Sequence, residues 1–143
     1  MQSTPVMRPR MPTPAAVCSW LEEMDRQGRY SNFGPLTRLL EERLAHFLNV
    51  SGDQVVSVAN CTLGIQGAVY LSPAQRWIVP DFTFPATGLA VRNARKGLAL
   101  ADVDDETWGL SPECVASFPA SYGILPVAPF GAPFDTHTWQ VFE

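Results

Sequence analysis

The sequence is poor in the side chains that staple a fold, coordinate metals or bind polyanions. It has three cysteines, Cys18, Cys61 and Cys114, an odd number that suits reduced thiols in the cytosol and gives no disulfide framework. Its two histidines, His46 and His137, match no zinc-ligand spacing with those cysteines. Ten basic residues against fourteen acidic ones leave a net charge of −4, which argues against the basic face that non-specific nucleic-acid binding requires. No long run of like charge forms a tail. No apolar stretch approaches the roughly 20 residues of a membrane span. Arg8 and Arg10 near the N-terminus are followed by no apolar signal-peptide core. These absences lead to the expectation of a soluble cytoplasmic protein.

What is present is an ordinary globular composition, 46% hydrophobic and 17% charged over 143 residues. It fits one α/β or α+β domain and excludes a disordered or collagen-like chain. A chain of this length buries about two thirds of its unfolded surface.

Residues 1–14 hold four prolines and read as an extended arm. Val17, Trp20, Leu21 and Met24 lie at helical spacing within a helix expected over 15–25. The turn Tyr30-Ser31-Asn32-Phe33-Gly34-Pro35 opens a second helix running to about Leu48, with Pro35 at its first position and an apolar stripe of Leu36, Leu39, Leu40, Leu44, Phe47 and Leu48. Strand and helix then alternate. Strands are expected at 55–59, 77–79, 98–101 and 124–127, and helices at 63–71, 85–93 and from Ser111 onward. Gly64 and Gly67, one turn apart in an apolar helix, imply close approach of another backbone. The alternation predicts βαβ units and a mostly parallel sheet with flanking helices, whose ligands sit beyond the carboxyl ends of the strands. The segment 135–143 begins like a capped helix and then stops. It reads either as a chain cut inside a fold or as a C-terminal helix docked on the sheet.

The turns after the strands supply the candidate sites. Asn60-Cys61-Thr62 opens a helix, whose free N–H groups and positive dipole end favour a phosphate. An ordinary capping turn has the same residues. Asp81-Phe82-Thr83-Phe84 places two aromatics where a flat ring can stack, although core packing is the commoner fate of Phe. The cluster Asp102, Asp104, Asp105 and Glu106 fails as a calcium loop, because Thr107 stands where the sixth-position glycine belongs. It reads as a solvated turn. Cys61 at a helix N-terminus has the setting of a nucleophile, but no histidine base is near it in sequence.

Six stretches in order resemble the N-terminal part of the DegT/DnrJ/EryC1/StrS family of pyridoxal-phosphate sugar aminotransferases, from about residue 20 to the end. They are 30–35, Leu40-Glu41-Glu42-Arg43-Leu44, Val58-Ala59-Asn60-Cys61-Thr62-Leu63-Gly64, Val79-Pro80-Asp81-Phe82-Thr83-Phe84-Pro85-Ala86-Thr87, 101–108 and Pro126-Val127-Ala128-Pro129-Phe130-Gly131-Ala132-Pro133. The resemblance implies part of the large domain of the fold-type-I transferases over 15–143, and a homodimer or larger homo-oligomer with active sites at the subunit interface. It implies pyridoxal 5'-phosphate as cofactor and a nucleotide-linked keto sugar as substrate. Asn60, Cys61 and Thr62 take the place of the family's phosphate cradle, and Phe84 that of its ring-stacking aromatic. Asn32, Phe33 and Gly34 fall near the family's substrate region.

Two departures accompany the match. Cys61 replaces the cradle's usual glycine, and its Cβ and sulfur crowd an approaching phosphate. The single lysine, Lys96, is not at the position where the family joins lysine to the cofactor, so the chain alone is expected not to transaminate. A non-catalytic interaction or dimerisation protein is the alternative expectation, and a thiol enzyme using Cys61 a third.

Overall fold

The computed structural model describes residues 9–31, 33–133 and 136–139. They fall into two units, 1–57 and 58–143.

The first unit is built on two helices. α1, Pro14–Gln27, begins where the Thr13 hydroxyl accepts a hydrogen bond from the Ala16 amide, and ends at Gly28 in the left-handed conformation. It starts and ends slightly beyond the expected 15–25, because Pro14 serves as its first residue instead of closing the arm. α2, Pro35–Leu48, matches its expected bounds and closes on a left-handed Asn49. The Arg43 guanidinium lies 5.0 Å above the Trp20 ring. The apolar stripe of α2 is not a buried face: Leu40, Leu44, Phe47 and Leu48 are exposed, and Ala45 alone of the helix is buried. Glu41 accepts bonds from the Ser57 amide and hydroxyl, at 2.8 and 2.7 Å. These bonds, the amide first, hold its carboxyl below the ordinary range.

Residues 55–59 do not form the expected strand. Val55 is extended, but the segment pairs with no strand among the described residues. The Ser57 amide is taken by Glu41 instead of a ladder, and Val56 and Val58 are 70% and 53% exposed. Apolar residues with strand propensity become a strand only where a neighbour offers paired carbonyls and amides.

The second unit is a parallel sheet covered by helices on both faces. Its elements are α3 (Cys61–Leu71), β1 (Arg76–Pro80), α4 (Ala86–Asn93), β2 (Gly97–Ala101), α5 (Pro112–Val115), β3 (Gly123–Ile124) and α6 (Thr136–Trp139). The strand order is β2-β1-β3, with both pairings parallel. β3 stops two residues in, where 124–127 was expected to be strand. Leu125 still donates to the Ile78 carbonyl at 2.9 Å, but Pro126 has no N–H to continue the ladder. Of the expected terminal helix, 136–139 is helical; Asp135 and 140–143 lie outside the described residues.

Alternation along β1 sorts the core. Val79 packs with Val69 of α3 and with Val91 and Ala94 of α4, while Trp77, Leu98 and Leu125 flank that cluster. Ile78 points the other way, against Ala101, Leu110 and Val115. Each fully buried aliphatic side chain contributes about 1.5–3 kcal/mol. The two α3 glycines do not meet a backbone as expected. A Cβ on Gly64 would lie 3.2 Å from the Val58 side chain, and Gly67 has open space.

Gly123 is a packing requirement. A Cβ there would sit 2.6 Å from the Trp77 indole, a partly buried ring packed against the cluster of Val69, Val79, Val91 and Ala94. Gly123→Ala is therefore expected to destabilise the fold by about 1–3 kcal/mol. Urea unfolding followed by circular dichroism measures this; an unchanged midpoint would show that the indole shifts freely.

Candidate functional site

Each parallel strand ends in a loop at the same edge of the sheet, and each loop contributes an aromatic ring. Phe82 follows β1, Trp108 follows β2 and Phe130 follows β3. The ring centroids of Phe82 and Trp108 are 5.0 Å apart in an edge-to-face arrangement. Phe130 lies 6.1 Å from Phe82 and 6.4 Å from Trp108. Phe84 stands apart from this trio and is 77% exposed. Between them lies a cavity of about 450 Å³ lined by Phe82, Thr83, Phe84, Pro85, Val127, Pro129 and Phe130.

Two of the rings sit on left-handed backbone, Trp108 at φ 59° and Phe130 at φ 56°. Bulky residues are rare there, and something must hold them. For Trp108 it is Asp104. One carboxylate oxygen accepts from the amides of Thr107 and Glu106 and from the Thr107 hydroxyl, at 2.8, 3.1 and 2.9 Å. The Trp108 amide donates to the Asp104 carbonyl at 2.8 Å, and the Asp104 amide to the Gly109 carbonyl at 2.9 Å. The acidic cluster is thus a turn built on one aspartate. Among the described residues no group of three or more acids, histidines or cysteines could hold a metal ion. The bonds from Thr107, amide then hydroxyl, lower the Asp104 carboxyl from its ordinary 3.8.

α3 leads into β1 through a short connection, so it runs antiparallel to the strand and its N-terminus lies toward this edge. Asn60 is the cap: its side-chain oxygen accepts from the Leu63 amide at 3.0 Å. The amides of Cys61 and Thr62, in the first turn, have no intrahelical acceptor. Cys61 is exposed and its thiol is bonded to no histidine among the described residues. Asn60, Cys61 and Thr62 do not line the cavity beside Phe84.

The remaining candidates lie in the first unit. Asn32 is outside the described residues. Phe33 has φ 56° and is exposed. Gly34 caps α2, and a Cβ there would lie tightly, 3.0 Å, against the Ser31 carbonyl oxygen, so the turn favours a residue without one.

Trp108 and Phe130 were not among the residues singled out from sequence. The signal was their position: each falls a few residues beyond a strand's carboxyl end, where parallel strands bring loops together.

Residues 16–142 match the DegT/DnrJ/EryC1/StrS aminotransferase family. The UDP-2-acetamido-2-deoxy-3-oxo-D-glucuronate aminotransferase of Pseudomonas aeruginosa is 33% identical over 122 residues, covering 80% of this chain and 33% of that enzyme. The crystal structure of DesI in the presence of its TDP-sugar product is 28% identical with a TM-score of 0.81, covering 94% of this chain and 34% of DesI. A protein from Bacillus cereus assigned as a PLP-dependent aminotransferase shares the fold at 24% identity and a TM-score of 0.83, covering 96% of this chain and 40% of its own. The chain thus spans about a third of the length of the curated relative it matches.

The lowered Asp104 carboxyl carries a sign. A depressed folded pKa gives order that is present above the ordinary value of 3.8 and is lost only as pH falls through the lower folded value. The near-ultraviolet circular dichroism of the ring cluster is expected to hold from neutral pH down through 3.8 and to collapse below it. Asp104→Ala should weaken the signal already at pH 7; a signal lost well above 3.8 in the parent chain would remove Asp104 as the anchor.

Proposed function

The chain belongs to the DegT/DnrJ/EryC1/StrS aminotransferase family, and we propose that it is the N-terminal portion of a pyridoxal-phosphate-dependent aminotransferase acting on nucleotide-linked keto sugars. In this proposal residues 15–143 are part of the large domain, residues 1–14 an arm, and the chain by itself does not transaminate. The names of the Pseudomonas enzyme and of the DesI complex support the substrate class. The observation that carries the cofactor site is Phe84, an exposed ring beside an apolar cavity at the carboxyl edge of the sheet.

The residues present fit two parts of the cofactor. The amides of Cys61 and Thr62, left free because Asn60 caps Leu63, suit a phosphate, and the Thr62 hydroxyl adds a donor. Cys61, in the glycine place, is exposed. Phe84 presents a face to the ring. When bound, pyridoxal phosphate supplies an electron-withdrawing ring and an aldehyde that accepts an amine. The substrate region assigned to Asn32, Phe33 and Gly34 completes the proposal.

Lys96 does not serve this site. It lies on the turn before β2, at the amino edge of the sheet, and its ammonium donates to the Ser72 carbonyl at 3.1 Å. The length of a five-residue strand, about 16 Å, separates that edge from the Phe84 turn. This placement supports inactivity of the chain alone, and equally a second reading as a non-catalytic, dimer-forming relative. The exposed Leu40, Phe47 and Leu48 of α2 support a homodimer or larger homo-oligomer in either reading. No helix among the described residues is long and apolar enough to cross a membrane. A cytoplasmic location is part of the proposal.

Titrating the chain with pyridoxal phosphate tests it. Reversible binding is expected, weakened about two- to tenfold in Phe84→Ala. Borohydride treatment followed by peptide mass spectrometry should find no specific adduct at Lys96. A stoichiometric adduct there would overturn the claim of inactivity. A Phe84→Ala chain that binds as well as its parent would remove Phe84 from the site.

A further inference from the structure

Thr87 is the one buried polar side chain among the described residues, 8% exposed. It is the second residue of α4 and sits beside the buried Ala90 and Val91. Threonine is a weak helix former, and a buried hydroxyl is unfavourable unless it is bonded. Packing alone gives no reason to prefer it to valine. Its bonds do. The Thr87 hydroxyl lies 3.0 Å from the Thr83 hydroxyl, and the Thr87 amide donates to the Phe84 carbonyl at 3.0 Å.

The two bonds close on consecutive residues, one on each side of the peptide that sets the direction of Phe84. No other cap does this work: Pro85, at the N-cap of α4, makes no side-chain cap bond. Nor is the Phe84 ring a member of the cluster formed by Phe82, Trp108 and Phe130. For an exposed ring outside the packed cluster, the backbone of the turn sets the direction of the Cα–Cβ bond and so the region the ring can reach.

We propose that Thr87 is a positioning residue for Phe84: the half-buried Thr83–Thr87 hydroxyl pair and the amide bond to Phe84 fix the turn so that the exposed ring is presented beside the apolar cavity. The proposal rests on the assignment of Phe84 as the residue that faces the cofactor ring. Its physical content is preorganisation. A turn locked before binding loses less freedom when a flat ligand settles on the ring.

The 143-residue chain, its Thr87→Val, Thr83→Val, Thr87→Ser and Phe84→Ala variants, and the double variant carrying both valines test this. Three measurements are made on each: pyridoxal phosphate affinity by quenching of tryptophan emission, thermal unfolding, and amide hydrogen exchange of residues 82–88 without ligand. Thr87→Val is expected to weaken affinity about fivefold, the effect of one neutral hydrogen bond. Thr83→Val should do the same, the double variant no worse than either single one, and Thr87→Ser should restore binding. Exchange in the turn should quicken in the valine variants. If Thr87→Val melts earlier but keeps both parental affinity and parental exchange, Thr87 is merely structural and the proposal falls. If Thr87→Val binds like the parent while Phe84→Ala binds weakly, the proposal falls and the assignment of Phe84 stands. If Phe84→Ala binds like the parent, or the parent does not bind, the assignment of Phe84 falls. The exchange data then decide alone whether Thr87 orders the turn. Should Thr87→Val fail to fold, Thr83→Val, at a half-buried position, carries the same comparisons.

Discussion

β1 is paired on both sides, with β2 and β3 parallel to it, and it is packed on both faces. The second unit depends on that placement. Because all three strands run the same way, their carboxyl ends share an edge, and the three segments that leave it start side by side. Because β1 alternates Trp77 and Val79 against Ile78, each face receives its own helices: α3 and α4 on one, α5 on the other. A strand slipped by one residue would turn both sets over. The position of the Phe82 and Phe84 turn is therefore a consequence of the register that sets Pro80 against Ala101 and lets the Asp81 amide reach the Ala101 carbonyl.

That edge carries local cost as well as order. Trp108 and Phe130 adopt left-handed backbone, which for non-glycine residues costs on the order of 1–2 kcal/mol each. The Asp104 turn and the short Pro129–Gly131 turn hold them there, and edge-to-face packing against Phe82 returns part of the cost. Strain retained in a solvent-facing ring cluster is easier to understand at a binding edge than in a loop whose only task is connection.

Much of this was readable from the residues, and the failures have physical causes. α2 is legible because Pro35 and the apolar stripe mark it, and the parallel sheet follows from alternating elements. Residues 55–59 have the composition of a strand, but strand identity belongs to a pair, and the partner is not legible in five residues. The α2 stripe was legible while its exposure was not, since periodicity says which residues share a face and never what covers it. The turn 81–84 after β1 was legible from its residues, whereas the cofactor role of Phe84 comes from the family resemblance and belongs to the proposed function. Thr87 was missed because a threonine in a helix carries no mark of burial, and Trp108 because its ring becomes relevant only when three loops are brought to one edge.

Charge explains why the helix N-terminus matters in the proposed site. In residues 58–143 the arginines and lysine are Arg76, Arg92, Arg95 and Lys96, which lie at the start of β1, in the last turn of α4 or on the turn leading from it into β2. Asp81, Asp102, Asp104, Asp105 and Glu106 follow the strands at the other edge. A separation of about 16 Å exceeds the screening length of about 8 Å at physiological salt, so those cations do little for an anion near Phe84. Within this unit the free amides and dipole of α3 offer a favourable field for a phosphate. Asn60 is suited to that arrangement, because its side chain caps Leu63, deeper in the first turn, and leaves the two outermost amides open.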